Sequence, residues 1–164
     1  MSESPSTKIW DLLLVEDNFG DAMLAQEAFG AMRTPATLSN ARDGEEALQR
    51  LRREGPHAGS PLPDLVLLDM NLPQMDGLAV LRAIRSDPAL QRLPVIVMTG
   101  SNAQNEIDAC YDAGANGYIV KPMQFEALEE IALAIEQFWF GVAALPSPGA
   151  ASPGRASADR SHAA

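Results

Sequence analysis

The chain has 164 residues, of which 46% are hydrophobic and 21% are charged, a composition typical of one globular domain. The formal net charge of -10 argues against nucleic acid as a partner, because phosphate binding needs clustered Lys and Arg. No apolar run approaches the roughly 20 residues of a membrane span, and the single cysteine, Cys110, cannot form an internal disulfide. We therefore expect a soluble, cytoplasmic protein without a membrane partner.

Short apolar runs alternate with helical periodicities along the chain. Strands are predicted from Ile9 to Val15, from Ala36 to Ala41, in the apolar run between Asp64 and Asp69, from Pro94 to Met98 and from Gly117 to Val120. Helices are predicted from Asp21 to about Met32, from an Asp43 cap to Arg53, from an Asp76 cap to before Pro88, from Ala103 to Ala113 and from Phe125 to Trp139.

The alternation of strands and helices predicts the domain organisation. We expect a flexible N-terminus over residues 1–7, one domain over 8–141, and a disordered tail over 142–164, where Ala, Ser, Pro and Gly prevail. Five strands alternating with five helices indicate an α/β fold, a doubly wound parallel sheet with helices on both faces. The common five-stranded order is 2-1-3-4-5, which places the first and third strands side by side.

Carboxylates follow two of these strands at the point where each ends. Glu16 and Asp17 follow the first strand, and Asp69 follows the third. In the order 2-1-3-4-5 they converge, and three carboxylates at one edge repel each other unless a cation joins them. Carboxylate oxygens with water suit a hard ion that keeps part of its hydration shell, above all Mg²⁺. The sequence therefore predicts a magnesium site.

A hydroxyl and an ammonium lie at the ends of the remaining central strands. Thr99 follows the fourth strand, and Lys121 follows the fifth. Beside a metal and the Asp69 carboxylate they form a set suited to phosphoryl transfer: a nucleophile, two cationic charges and a hydroxyl donor. Taken singly, each residue has an ordinary structural role as a cap, a turn residue or a solvated charge. Their joint placement at four strand ends favours function.

The same stretches carry a family resemblance. It rests on Leu13-Leu14-Val15-Glu16-Asp17-Asn18, on the run from Asp64 to Gly77 that includes Asp69-Met70-Asn71-Leu72-Pro73, on Val97-Met98-Thr99-Gly100, and on Gly117-Tyr118-Ile119-Val120-Lys121-Pro122. Over residues 8–140 the chain resembles the receiver domain of two-component response regulators. The resemblance implies a flavodoxin-like fold and a signalling protein, rather than an enzyme with a separate substrate, that takes a phosphoryl group from a histidine kinase.

The resemblance also assigns roles to the three acidic residues and to Asn71, two positions after Asp69. Asp69 is similar to the phosphoacceptor, and Glu16 and Asp17 to the Mg²⁺-binding pair. Asn71 is similar to the residue whose backbone carbonyl completes the metal site.

On the other two strands the resemblance identifies switch residues. Thr99 is similar to the switch hydroxyl, Tyr118 to the switch aromatic, and Lys121 to the lysine that pairs with the phosphoryl group. It also implies a cis bond between Lys121 and Pro122. The segments 43–48 and 51–56 and the aromatic end of the last helix are similar to stand-alone receivers that partner bacterial phytochrome kinases.

A phosphatase, a flavodoxin and a protein-binding adaptor are the alternative functions for this sequence. A haloacid dehalogenase type phosphatase needs a second acid two residues after its nucleophile, where this chain has Asn71. A flavodoxin would bind a phosphate after the first strand, where Glu16 and Asp17 would repel it. An adaptor that binds protein partners without phosphorylation is the remaining alternative. The complete acidic set counts against it without excluding it.

Three consecutive aromatic residues end the last predicted helix. One helix cannot bury Phe138, Trp139 and Phe140 on the same side, so at least one ring is exposed or covered by a partner. A two-fold homodimer is the simplest way to cover them, because an isologous contact needs only a self-complementary patch.

Overall fold

The computed structural model describes residues 8–147. The strands are β1 (Trp10–Val15), β2 (Ala36–Ala41), β3 (Leu65–Leu68), β4 (Val95–Thr99) and β5 (Gly117–Val120), and the helices are α1 (Phe19–Phe29), α2 (Gly44–Arg52), α3 (Gly77–Ser86), α4 (Gln104–Asp112) and α5 (Phe125–Ile135). A short 3-10 turn, Gly55–His57, follows α2, and a π-helix, Glu136–Val142, follows α5. The predicted flexible N-terminus and the tail from residue 148 onward lie outside the described residues.

The five strands form one parallel sheet in the order β2-β1-β3-β4-β5. The predicted α/β class and strand order are therefore confirmed. β3 is the central strand of the sheet and β4 lies beside it. Every residue of these two strands is buried, which explains why their sequences are continuous apolar runs and do not alternate. Their carboxyl ends, Asp69 and Thr99, are held by a part of the sheet that cannot move without exposing apolar surface.

The core lies in two layers, one on each face of the sheet. Successive residues of β1 point to opposite faces, so Leu13 and Val15 pack with α2 and α3, whereas Leu12 and Leu14 pack with α1 and α5. The side chains of Leu51, Leu81 and Ile84 complete the first layer, and those of Phe29, Leu128 and Ile135 complete the second. Among the described residues, no helix is long and apolar enough to cross a membrane.

Side-chain caps determine where the helices begin. Asp43 accepts a hydrogen bond from the Glu46 N–H at 2.7 Å, and Asp76 accepts one from the Ala79 N–H at 2.9 Å, so both predicted caps are confirmed. The first helix starts earlier than predicted. Asn18 is its cap and accepts from the Asp21 N–H at 2.8 Å, which places Asp21 inside the first turn instead of at the start.

The end of the last helix differs from the sequence prediction. A continuous α-helix was expected to reach Trp139, but the α-helix ends at Ile135 and the chain continues as a π-helix. The wider turn lets the Phe140 ring stack on Trp10 of β1, with ring centroids 4.4 Å apart and an interplanar angle of 19°. Phe138 stays half exposed, with an edge contact to Trp139. Periodicity misses such a turn because distant packing partners decide it.

Glu136, the first residue of the π-helix, ties this helix to the loop after α1. Its carboxylate accepts hydrogen bonds from the Thr34 hydroxyl, from the Thr34 N–H at 2.6 Å and from the Arg33 N–H at 3.3 Å. Burial alone would raise the pKa of the Glu136 carboxyl, but these hydrogen bonds and the Arg33 charge outweigh it and lower the pKa below its ordinary value of 4.5. The folded protein therefore favours the ionised carboxylate.

We predict that Glu136→Gln lowers the free energy of unfolding by about 1–2 kcal/mol at pH 7, because the charged acceptor is lost. Since the folded-state pKa is depressed, this stabilisation is present above pH 4.5 and is lost as the pH falls through the folded pKa. Urea unfolding of wild type and variant at pH 7 and pH 3 measures the difference. Glu130→Gln, an exposed residue of α5, is the control, and equal losses in both variants would contradict the assignment.

Candidate functional site

Four strands bring the predicted site residues to one edge of the sheet. Glu16 and Asp69 directly follow β1 and β3, Thr99 is the last residue of β4, and Lys121 directly follows β5. Because the strands are parallel, their carboxyl ends meet at the same edge. In the sheet, β3 and β4 lie between β1 and β5, so Asp69 and Thr99 have Glu16 on one side and Lys121 on the other.

The three predicted acidic residues form a cluster. Glu16, Asp17 and Asp69 each offer a carboxylate oxygen, and these oxygens lie within 4.8 Å of one another. Glu16 and Asp69 are buried, at 3% and 6% exposure, whereas Asp17 is exposed. The cluster therefore combines two buried carboxylates with one exposed carboxylate, an arrangement that suits a partly hydrated cation.

Lys121 supplies the positive charge beside this cluster. Its Nζ lies 2.9 Å from Glu16 Oε1, 3.8 Å from Asp69 Oδ2 and 3.7 Å from Asp21 Oδ2. Burial alone would lower the pKa of the Lys121 ammonium, but the hydrogen bond to Glu16 and the surrounding carboxylate charges outweigh it and raise the pKa. The lysine is thus a fixed cation at neutral pH.

Glu16 is the most strongly constrained carboxylate of the site. Its Oε1 accepts from Lys121, and its Oε2 accepts from the Asn18 N–H at 3.0 Å. Burial is the largest influence and raises the pKa of the Glu16 carboxyl, assisted by the negative charge of Asp69, while the Lys121 ammonium and the Asn18 N–H act in the opposite direction. A divalent cation at this position would favour the ionised form further.

The hydroxyl of Thr99 is buried and has no partner. Thr99 has no exposed surface, and its Oγ1 makes no hydrogen bond within the described structure. A buried polar atom without a partner costs free energy unless a ligand arrives to satisfy it. The backbone carbonyl of Thr99 accepts from the Lys121 N–H at 2.7 Å, so the β4 and β5 ends are joined directly beside this hydroxyl.

Tyr118 reaches the loop that follows Thr99. Its hydroxyl donates to the Ser101 carbonyl at 2.9 Å, and the residue is partly buried. The predicted switch aromatic is therefore connected to the backbone two residues after the predicted switch hydroxyl. The first influence on Tyr118 is burial, which raises the pKa of its phenol, so the ring donates this bond as the neutral form.

The loop after β3 shapes the phosphoacceptor position. The Asn71 N–H donates to Asp69 Oδ1 at 3.2 Å, so Asn71 touches the predicted nucleophile through its backbone. A Cβ at Gly77 would lie 2.3 Å from the Asp69 carbonyl oxygen, and only glycine allows α3 to begin so close to the site. The close approach is a requirement that the spacing of the sequence did not reveal.

Two features of the site differ from the sequence predictions or were missed by them. The Lys121-Pro122 bond is trans, since no described peptide bond is cis, and the predicted cis bond was wrong; trans is the lower-energy form even before proline. Asp21 was predicted only as a helix start, but its carboxylate lies 3.7 Å from Lys121 Nζ. Its position one turn after the acidic pair was the only signal in the sequence.

The donor set fits a hard divalent cation. Glu16, Asp17 and Asp69 would hold the ion, and their oxygens are the ligands that Mg²⁺ and Mn²⁺ prefer. Among the described residues this acidic cluster contains no His or Cys that would favour a softer metal. The site is therefore suited to a hard divalent ion.

The fold and this site define a class of protein. Residues 12–133 match the response regulator receiver domain family, and the chain belongs to that family. The acidic cluster is consistent with the phosphorylation site of a receiver, and no property of the described residues favours a phosphorylation-independent adaptor instead.

The chain is also similar to individual response regulators. Response regulator Rcp1 of Synechocystis sp. is 38% identical over 136 residues, which is 83% of this chain and 92% of that protein. The structure of the phosphorylated cyanobacterial phytochrome response regulator RcpA is 44% identical, covers 85% of this chain and 100% of that chain, and has a TM-score of 0.81. The Mn(2+)-bound form of Rcp1 is 37% identical, covers 84% of this chain and 99% of that chain, and has a TM-score of 0.77.

We predict that Glu16→Gln with Asp17→Asn lowers Mn²⁺ affinity by about tenfold or more, because two anionic ligands are lost. Calorimetric titration measures the affinity, and paramagnetic broadening of backbone amide signals by Mn²⁺ locates the ion. Asp21→Asn is the matched control, since Asp21 contacts Lys121 but lies outside the cluster. Unchanged affinity in the double variant, with broadening confined to amides away from this cluster, would place the metal elsewhere.

Proposed function

We propose that Asp69 accepts a phosphoryl group from a histidine kinase, with Glu16, Asp17 and the Asn71 backbone carbonyl holding Mg²⁺. The observation that carries this proposal is the placement of Lys121, whose ammonium lies 2.9 Å from Glu16 and 3.8 Å from Asp69. A cation at that position is suited to neutralising charge on a transferred phosphoryl group. The similarity to phosphorylated RcpA and to Mn(2+)-bound Rcp1 supports the proposal.

The chemistry follows from the groups around Asp69. An Asp69 carboxylate oxygen attacks phosphorus while the bond from phosphorus to the kinase imidazole breaks, so that an aspartyl phosphate forms and the imidazole leaves with the bond's electron pair. Mg²⁺, when bound, offsets negative charge on the phosphoryl oxygens. Lys121 pairs with one phosphoryl oxygen, and the buried Thr99 hydroxyl, which has no hydrogen-bond partner among the described residues, donates to another. The protein thus changes only its own side chain and is a signalling protein.

The partner kinase is proposed to be a bacterial phytochrome. RcpA is a cyanobacterial phytochrome response regulator. A response regulator in red light signaling of R. palustris is 32% identical, with a TM-score of 0.80. The proposal extends to a cytoplasmic location and to the absence of nucleic acid and membrane partners. The net charge of -10 supports both absences, because polyanions repel an acidic surface.

Phosphorylation is proposed to act through Tyr118 on the surface beside it. Meeting a phosphoryl group draws the Thr99 hydroxyl toward Asp69, and the Ser101 carbonyl that holds Tyr118 at 2.9 Å lies two residues further on. A movement of this loop therefore changes the Tyr118 environment. Tyr118 lines an open cavity of about 340 Å³ together with Tyr111, Phe138 and Trp139.

This cavity is the proposed homodimer surface. Phe138 is 52% exposed and Tyr111 is 49% exposed, and both rings border the cavity. Phe140, in contrast, is engaged by Trp10 within the same chain. Only one of the three consecutive aromatics therefore needs a partner, and a second copy presents the same apolar patch.

For the phosphoacceptor we predict that acetyl phosphate with Mg²⁺ adds one phosphoryl group to the wild type and none to Asp69→Asn, which keeps the shape but removes the nucleophilic charge. Intact mass spectrometry measures the product. Asp112→Asn, an exposed carboxylate, is the control and should be phosphorylated like the wild type. Phosphorylation of the Asp69 variant would refute the assignment, and a wild type that gains nothing would favour the adaptor.

The kinase is tested separately by phosphotransfer from a phosphorylated bacterial phytochrome and from an unrelated histidine kinase. Faster transfer from the phytochrome is expected. Equal rates would leave the receiver assignment intact and overturn the phytochrome link.

For the dimer we predict that Phe138→Ala shifts the protein toward monomer, because it removes the most exposed ring of the patch. Light scattering, with and without phosphorylation, measures the molecular mass. Leu133→Ala is the matched control, since Leu133 of α5 is also exposed but lines a different groove. A wild type that is monomeric in both states would contradict the dimer proposal. A Tyr118 environment that phosphorylation leaves unchanged would contradict the proposed switch.

A further inference from the structure

A second cleft lies at the opposite edge of the sheet from the acidic site. It has a volume of about 110 Å³ and is bordered by the start of β1, the middle of β2, the last turn of α2 and the loop before β3. The lining residues are Asp11, Leu12, Leu13, Ser39, Arg50, Ser60, Pro61 and Pro63. None of them belongs to the phosphorylation site.

Arg50 is the unusual residue of this cleft. Its side chain is 27% exposed, and its Nε is buried without a hydrogen-bond partner in the described structure. The nearest carboxylate oxygen, Glu46 Oε2, lies 4.0 Å from Nε, which is too far for a hydrogen bond. Arg85, by contrast, donates to the Gly114 carbonyl at 2.9 Å and the Leu93 carbonyl at 2.8 Å. Arg50 therefore borders the cleft with a partly exposed side chain whose Nε has no acceptor within hydrogen-bond distance among the described residues.

Two serine residues line the cleft together with Arg50. Ser39 is paired in register with Leu13, and Leu13 packs in the core layer that contains α2, so Ser39 faces α2. Ser60 lines the cleft from the loop before β3. A guanidinium with hydroxyl donors matches a ligand that only accepts hydrogen bonds, and the planar fork of arginine fits a carboxylate or phosphate oxygen pair.

One carboxylate in the cleft opposes such a ligand. Asp11 is a lining residue, and its Oδ1 accepts a hydrogen bond from the Thr37 hydroxyl at 2.5 Å. No ion pair joins it to Arg50 among the described residues, so the guanidinium is not neutralised from within the cleft. Asp11 therefore weakens anion binding without occupying the arginine.

We propose that this cleft binds a small oxyanion, a carboxylate or phosphate group, through the Arg50 guanidinium and the Ser39 and Ser60 hydroxyls. The volume of the cleft admits one such group and no large ligand. The site is independent of the proposed phosphoryl transfer, because it lies at the other end of β1 from Glu16. The opposing charge of Asp11 weakens the affinity for the oxyanion. Asp11 is therefore a second residue whose mutation tests the site.

The test is a titration of ¹⁵N-labelled full-length protein with sodium phosphate or sodium acetate, without divalent metal and at constant ionic strength. The Arg50 side-chain Nε–H signal is followed by NMR. A saturable shift confined to Arg50 and to the amides of Ser39 and Ser60 is expected. Arg50→Gln should weaken binding by about tenfold or more, and Asp11→Asn should strengthen it, since each changes one charge at the cleft.

Controls separate this site from general charge effects and from the phosphoacceptor. Arg52→Gln removes the same charge two residues away, where the guanidinium lies 3.7 Å from Asp87, and should leave binding unchanged. Asp69→Asn should also leave it unchanged, because the two sites are at opposite edges. Saturation with phosphate alone would assign the ligand as a phosphate group, and with acetate alone as a carboxylate. Linear shifts spread over all arginine signals would overturn the proposal.

Discussion

The attraction between one partly buried ammonium and several carboxylates organises the functional edge of this protein. Glu16, Asp17 and Asp69 bring like charges within 4.8 Å, and such a cluster is unfavourable without a counter-charge. Lys121 supplies it, with its Nζ 2.9 Å from Glu16. Because β3 and β4 separate the strands that carry these two residues, the ion pair spans the middle of the sheet edge. Asp69 and Thr99 are thereby enclosed between its partners.

The apolar strands beneath this edge make the arrangement rigid. All residues of β3 and β4 are buried, so a shift of either strand would expose side chains that each contribute about 1.5–3 kcal/mol by burial. The same rigidity keeps the Thr99 hydroxyl without a hydrogen-bond partner in residues 8–147, at a cost of roughly 1–3 kcal/mol. A ligand that accepts a hydrogen bond from Thr99 recovers this cost. The fold therefore places the unsatisfied Thr99 hydroxyl at the same sheet edge as Asp69, where it can donate to a charged group.

The accuracy of the sequence predictions differs between local and distant features. The strand β2 was predicted from Ala36 to Ala41, and the Asp43 and Asp76 caps were predicted where they lie, because caps and short strands depend on neighbouring residues. The π-helix, the trans bond before Pro122 and the contact of Asp21 with Lys121 were not predicted. The π-helix depends on the stacking of Phe140 against a strand at the other end of the chain.

The sequence by itself determined the alternation of strands and helices, the residues that end each strand and the resemblance to receivers. Parallel topology then required those ends to share an edge, since all strands of a parallel sheet point the same way. Tertiary structure alone decided which charges meet. The bond between Lys121 and Glu16 joins residues 105 positions apart, and no periodicity extends that far. Burial is likewise a property of the packed molecule, because elements that are distant in sequence exclude the water. Within the part of the chain that the structure describes, it leaves Thr99 Oγ1 and Arg50 Nε without hydrogen-bond partners.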